Sequence, residues 1–103
     1  MVAFAEKPSP LFKLGKVVAT PGALAFLENA VVDLRHLLAR HERGDWGDVS
    51  EGDKITNNEA IKDGSRIFSA YKIKDEENVW IITEAAGDDG KRASTCALLP
   101  DEY

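Results

Sequence analysis

The sequence lacks the features that mark secreted, disulfide-bonded or membrane-spanning proteins. Cys96 is the single cysteine among 103 residues, so no disulfide can form within the chain. The apolar runs are short, far below the ~20 residues of a transmembrane helix. The first residues, MVAFAEKPSPLF, lack a basic segment followed by a longer apolar stretch, so we expect no signal peptide. We therefore expect a soluble cytoplasmic protein.

An excess of positive charge is also missing. Lysine and arginine total 13 against 18 acidic residues, which gives a net charge of −5. Proteins that coat nucleic acid neutralise phosphates with basic side chains, so nucleic acid is not the expected main partner. The acids between positions 45 and 63 form either a solvated surface or a patch offered to a basic partner. They are Asp45, Asp48, Glu51, Asp53, Glu59 and Asp63.

Three apolar runs follow one another near the C-terminus. They cover residues 66–74, 79–83 and 93–99, and polar turn residues separate them. Short runs of this kind, bounded by turn formers, are typical of a three-stranded antiparallel meander. The middle run is apolar on both faces, which predicts the central strand.

The N-terminal part combines an arm and a strand. Pro8 and Pro10 forbid regular helix, so residues 1–10 are predicted to be a loosely ordered arm and residues 11–103 a single domain. Alternating apolar residues predict a strand over 12–19. The pattern leaves open whether this strand lies at the edge or in the centre of the sheet.

Two helices are predicted between residues 21 and 43. Thr20 can cap the first helix, and Pro21 suits its first position. The apolar spacing by itself would allow one long helix to residue 43. We favour a break over residues 29–33, because Asp33 can cap a second helix, and we expect that helix to end at Gly44.

A third helix is predicted from a cap at Ser50 to Asp63, with a stop at Gly64. Asn57 and its polar neighbours form helix poorly, so we expect this helix to be peripheral and the least stable element. The resulting order is β-α-α-α-β-β-β. It predicts a two-layer α+β fold in which helices cover one face of a four-stranded, mainly antiparallel sheet.

Trp46 stands at the tip of a turn over residues 44–48 that glycines flank. Its indole is either a plug that folds back over the sheet or an exposed anchor for a partner, since Trp is enriched at interface hot spots. The predicted partner-binding surface is formed by Trp46, Asp45, Asp48 and Glu51. An exposed sheet edge would also permit a homodimer.

Two alternative kinds of site use other residues. His41, Asp45 and Asp48 could serve a metal-dependent or nucleic-acid-processing enzyme. However, Gly44 ends the helix between His41 and Asp45, and we expect no metal, no cofactor and no catalytic residue. We interpret His41 as a polar residue near the negative end of the second helix. A direct DNA binder would instead use a set of arginines, namely Arg35, Arg40, Arg43 and Arg66.

The chain carries six short motifs in a specific order: ATPGAL at 19–24, LARH at 38–41, GDWGD at 44–48, SAY at 69–71, WIITE at 80–84 and LLPDEY at 98–103. With these motifs, the chain from residue 12 to its end resembles a family of small bacterial proteins found on plasmids and integrated mobile elements. Members carry the label "plasmid-related protein" or "type I restriction endonuclease subunit M". The resemblance implies a setting in mobile DNA, not a reaction. The chain lacks the parallel-sheet cofactor fold and the Asn-Pro-Pro-aromatic loop that a methyltransferase needs.

These observations favour a non-catalytic protein-interaction or accessory module, linked to plasmid maintenance, host defence or anti-defence. The chain is small and acidic, and it contains no recognised Gly-rich phosphate loop and no obvious Ser-His-Asp arrangement. We therefore expect its partner to be another protein, and we expect no membrane partner.

Overall fold

The computed structural model describes residues 10–103, so most of the predicted arm, residues 1–9, lies outside the described part. The described residues form three helices and a four-stranded sheet in the predicted order, which confirms the α+β fold class. The elements are β1 (Lys16–Ala19), α1 (Pro21–Ala30), α2 (Leu34–Glu42), α3 (Glu51–Asp63), β2 (Ile67–Lys74), β3 (Glu77–Thr83), β4 (Ser94–Leu98) and a 3-10 turn (Pro100–Glu102).

The sheet has the strand order β1-β4-β3-β2. β2, β3 and β4 pair antiparallel, as the meander prediction requires, whereas β1 lies at the edge and pairs parallel with β4. β1 is shorter than the predicted strand over 12–19. Gly15 adopts a left-handed φ of +66°, and a Cβ there would overlap the carbonyl of Arg92, so the regular strand begins after it.

Local capping sets the helix ends. The Thr20 hydroxyl accepts a hydrogen bond from the Ala23 N–H at 3.0 Å and begins α1. Val31, with φ +57°, ends α1, and the Asp33 carboxylate accepts from the Arg35 N–H to begin α2. The predicted break between two helices is therefore confirmed. Ser50 caps α3 and Gly64 ends it, also as predicted.

The helices pack on one face of the sheet, which we call the helix-facing side. Leu27 of α1 and Leu37 of α2 form the main core with inward side chains of three strands. Those strand residues are Tyr71, Val79, Ile81 and Ala97. Ala60 of α3 packs in a second cluster against Ile67, together with Phe12 and Trp46. The domain is thus a two-layer sandwich.

The opposite face of the sheet, the outer face, carries an aromatic cluster. Trp80 meets Phe68 edge-on at 5.0 Å between ring centroids and Tyr103 at 5.7 Å. The C-terminal 3-10 turn brings Tyr103 there, and Arg66 donates a hydrogen bond to its hydroxyl. None of the helices in residues 10–103 is long and apolar enough to cross a membrane.

Candidate functional site

The Trp46 indole lies in the core, with 4% of its surface exposed. It stacks on Phe12 at 6.1 Å and meets His41 edge-on at 5.8 Å. Its Nε1–H donates to Asn58 Oδ1 at 3.2 Å, so the ring's polar atom is also satisfied inside. The structure confirms the plug interpretation. Trp46 is not an exposed anchor, and any partner surface here must consist of its neighbours.

The backbone of the same turn pairs with the outer edge of β2. The Ala70 N–H donates to the Trp46 carbonyl at 3.1 Å, and the Asp48 N–H donates to the Ala70 carbonyl at 2.7 Å. Gly47 has φ +74°, and a Cβ would overlap the Ala70 carbonyl oxygen and lie 2.7 Å from the Tyr71 ring. A glycine is therefore required for this close approach.

Two asparagines of α3 support this region: Asn58, which accepts from the Trp46 indole, and Asn57. The Asn57 amide donates to the Phe68 carbonyl at 2.6 Å and accepts from the Phe68 N–H at 3.1 Å, as a neighbouring strand would. Asn57 is 2% exposed, whereas its low helix propensity had indicated a peripheral position. The two hydrogen bonds of its amide satisfy backbone groups of β2 and offset the unfavourable helix propensity of Asn57. This explains why a poor helix former occupies this position of the helix.

Three of the predicted partner-binding residues, Asp45, Asp48 and Glu51, are exposed, and we call this set the acidic rim. Asp45 pairs with Arg40 at 2.7 Å, and this hydrogen bond holds the pKa of the Asp45 carboxyl below its usual value. Glu51 pairs with Lys54 at 3.1 Å. Asp48 forms no ion pair with any residue of the described range. The backbone of residues 46–48 is thus held against β2, while the three carboxylates of the acidic rim are exposed to solvent.

His41 belongs to a chain of hydrogen bonds. Each hydroxyl in the chain has one proton, and this determines which atom donates in each bond. Thr95 Oγ1 donates its single proton to the Leu14 carbonyl at 2.7 Å. Thr83 Oγ1 must therefore donate to Thr95 Oγ1 at 2.7 Å and accept from His41 Nε2 at 2.9 Å. His41 Nδ1 is then an acceptor, and Ser69 Oγ donates to it at 2.5 Å. The imidazole is neutral and carries its proton on Nε2.

His41 lies in the last turn of α2, as predicted, but it is buried and packed against the sheet. The ring is 0% exposed, and burial, with a further contribution from the charge of Arg92, lowers its pKa to about 3. Both ring nitrogens are used in hydrogen bonds, whereas Asp45 and Asp48 lie at the surface. Within residues 10–103, no group of three His, Cys, Asp or Glu side chains is placed to hold a metal ion.

Three of the four arginines of the DNA-binding alternative have local partners. Arg35 pairs with Asp33 at 2.9 Å. Arg40 pairs with Asp45 and lies 4.5 Å above the Tyr71 ring centroid. Arg66 bonds to Tyr103 on the outer face. These three guanidinium groups are engaged in local contacts, which favours a structural role for them over phosphate binding.

Arg92 is a structural residue that sequence reasoning missed. Its guanidinium donates to the carbonyls of Ala60 (2.9 Å), Ser65 (2.7 Å) and Glu84 (3.0 Å), and so joins the end of α3 to the sheet. It also borders an open cleft of about 770 Å³ that basic and acidic side chains line together. The charged residues of this cleft are Lys13, Lys62, Lys91, Arg92, Asp63 and Asp88. Four of these side chains are basic and two are acidic.

No protein-family model matches the chain, and no match was found among curated proteins or among solved structures. Function must therefore be inferred from the residues and their geometry.

Proposed function

We propose that this protein is a non-catalytic interaction module whose acidic rim binds a basic surface of another protein. The observation that carries the proposal is the fixed position of the rim. Trp46 is buried beneath it, and the backbone of residues 46–48 is bonded to β2, so Asp45, Asp48 and Glu51 project from an ordered support.

An ordered support favours binding because less conformational freedom is lost when a partner docks. The Tyr71 hydroxyl adds to it by donating to the Asp45 carbonyl at 2.6 Å. The net charge of −5 would steer a basic partner toward the protein over a longer range. We therefore expect association to be fast at low ionic strength and to weaken as salt is added.

The biological setting of the proposal is what the resemblance of the six motifs to plasmid and mobile-element proteins implies. In that setting an interaction module would act as an accessory in plasmid maintenance, host defence or anti-defence. The buried, fully hydrogen-bonded His41 supports a binding role over the alternative of an enzyme that uses His41, Asp45 and Asp48.

Affinity capture with charge-reversed variants tests this proposal. The protein is immobilised and exposed to a lysate of a bacterial host, and bound proteins are identified by mass spectrometry at two salt concentrations. The variant D48K/E51K reverses the rim, and D88K/D89K makes the same charge change in the exposed turn at residues 87–90.

We expect a basic protein to be captured by the natural sequence and by D88K/D89K, and to be lost with D48K/E51K and at high salt. Recovery of the same proteins by D48K/E51K and by the natural sequence would refute a role for the acidic rim.

A further inference from the structure

The two edges of the sheet differ in how their backbone groups are satisfied. At the β2 edge, Phe68 pairs with the Asn57 amide and Ala70 pairs with residues 46 and 48. At the other edge, β1 has no strand beside it within residues 10–103. Unpaired strand edges are templates for pairing with another chain.

The hydrogen bonds of β1 show which of its groups face outward. The Lys16 N–H donates to the carbonyl of Ala93, just before β4, and the Thr20 N–H donates to the carbonyl of Ala97 within β4, at 3.0 Å each. Since alternate residues of a strand bond to the same side, the N–H and C=O groups of Val17 and Ala19 point away from the sheet. Val17 and Val18 are 42% and 39% exposed, so the two side-chain faces of this edge are open as well.

We propose that the β1 edge binds a second copy of this chain in an antiparallel two-fold pair whose axis passes beside Val18. In this register Val17 stands opposite Ala19 of the second copy, and the two residues exchange both backbone hydrogen bonds. The symmetric contact repeats this exchange. The two Val18 side chains then meet across the axis on the outer face.

Charge complementarity supports a second copy as the occupant. In the same register Lys16 stands opposite Thr20 of the second copy. The Thr20 hydroxyl donates to the Glu102 carboxylate at 2.7 Å, which holds an exposed acidic group beside this position. Each Lys16 ammonium therefore meets a Glu102 carboxylate of the other copy, and symmetry provides this contact twice.

Tertiary contacts on the β2 edge oppose growth beyond a dimer. Once the β1 edges have paired, the eight-stranded sheet ends on both sides at β2, where Asn57 and residues 46–48 satisfy the outward groups of Phe68 and Ala70. The loop and α3 therefore occupy the place where a further strand would pair.

Cysteine cross-linking reads the register directly. Val18 lies beside Cys96 in the β1–β4 pairing, so the native cysteine is first replaced in a Cys96→Ala background. In the proposed pair the Cα atoms at position 18 are ~4.5 Å apart, within the range for a disulfide. At position 17 the two copies are offset by two residues, or ~8 Å, which is too far for a bridge. We expect C96A/V18C to form a cross-linked dimer on oxidation and C96A/V17C to remain uncross-linked.

Sedimentation across a concentration series measures the association itself on the full chain. Val18→Lys places two ammonium groups against each other at the axis and should abolish the dimer. Leu24→Lys, at an exposed position of α1, is the matched control and should leave the dimer intact. Lys16→Glu and Glu102→Lys should each weaken association roughly fivefold, and the double variant K16E/E102K should restore it.

Three results would overturn the proposal. A protein that stays monomeric at all concentrations has no such dimer. A cross-link at position 17 but not at position 18 assigns a different register. A full chain that is monomeric but dimerises after deletion of residues 2–9 shows that its own N-terminal residues occupy the edge.

Discussion

The two edge strands of the sheet, β2 and β1, differ in how their outward backbone N–H and C=O groups are satisfied. At the β2 edge, distant parts of the chain supply backbone partners: the Asn57 amide from α3 and the carbonyl and N–H groups of residues 46 and 48. At the β1 edge the strand is four residues long and carries Lys16, but its outward backbone groups face away from the sheet. The β2 edge is covered at Phe68 and Ala70 by tertiary contacts, whereas the β1 edge has no strand beside it within residues 10–103.

This difference relates the candidate function to the fold. The contacts that cover the β2 edge also place the acidic rim, so the proposed partner surface and the protection of this edge share their supports. Within residues 10–103 no comparable contacts cover the β1 edge, so association there would break no contact of the folded protein. Substitutions at the β2 edge should therefore destabilise the protein, and substitutions at the β1 edge should not.

The largest effect is expected for Gly47→Ala. The left-handed φ of +74° and the overlap of a Cβ with the Ala70 carbonyl should push residues 46–48 off β2. We expect a loss of about 2–4 kcal/mol in the free energy of unfolding, measured by urea denaturation, from backbone strain and two broken hydrogen bonds.

Gly87→Ala is its matched control. Gly87 has no left-handed φ, and the nearest atom to a Cβ would be 3.5 Å away, so we expect a change within ~0.5 kcal/mol. Equal losses for the two variants would contradict the proposed role of the residue 46–48 pairing.

The next effect concerns the hydrogen-bond chain that crosses the sheet between the two edges. His41 has a pKa of about 3 in the folded protein and about 6.5 in an unfolded chain, so the unfolded state binds a proton first as pH falls. The stabilisation is complete above pH 6.5 and is lost progressively between pH 6.5 and pH 3. Between pH 7.5 and pH 5 we expect His41 to account for a loss of about 2 kcal/mol.

Urea denaturation at several pH values measures this loss. His41→Gln should remove most of the slope between pH 7.5 and pH 5, although the variant is less stable overall. His36→Gln, at an exposed position of the same helix, should keep the slope. A variant without His41 that retains the full slope would show that the buried imidazole is not its source.

The smallest pair of effects compares the edges directly. Asn57→Ala leaves the N–H and carbonyl groups of Phe68 without their partners and should cost about 1–2 kcal/mol. Val17→Thr, on the open edge, should change the free energy of unfolding of the monomer by less than ~0.5 kcal/mol. Equal costs at low protein concentration would remove the distinction between a closed and an open edge.

Much of the fold followed from local signals. The caps at Thr20, Asp33 and Ser50 accept from backbone N–H groups no more than three residues away, so their effect can be predicted from neighbouring positions. The alternation in β2 and the apolar run in β3 likewise predicted the meander. By contrast, the predicted strand over 12–19 was too long, because Gly15 is left-handed and the regular strand begins after it. The close approach of the Arg92 carbonyl to Gly15 comes from a distant part of the chain and is not visible in the neighbouring residues.

The candidate site was less predictable. The sequence identified Trp46 and the acids around it, but two interpretations of the indole remained open until its burial was seen. Asn57 looked like a weak helix residue, and nothing in its neighbourhood indicates that its amide would cap a strand. The structural role of Arg92 could not be predicted from its neighbours in the sequence, since the three carbonyls to which it donates lie far from it in the chain or in a different element.

By itself, the sequence determined the element order, the helix ends and the two-layer class, because caps, glycines and apolar periodicity act over a few positions. Tertiary structure alone decided the neutral state of His41, the closed β2 edge and the parallel place of β1. The partners involved are far apart in the chain: Asn57 bonds 11 positions away, His41 bonds 42 positions away and Thr95 bonds 81 positions away. Such groups meet once the sheet and helices have packed, and burial then fixes their hydrogen bonds and charge.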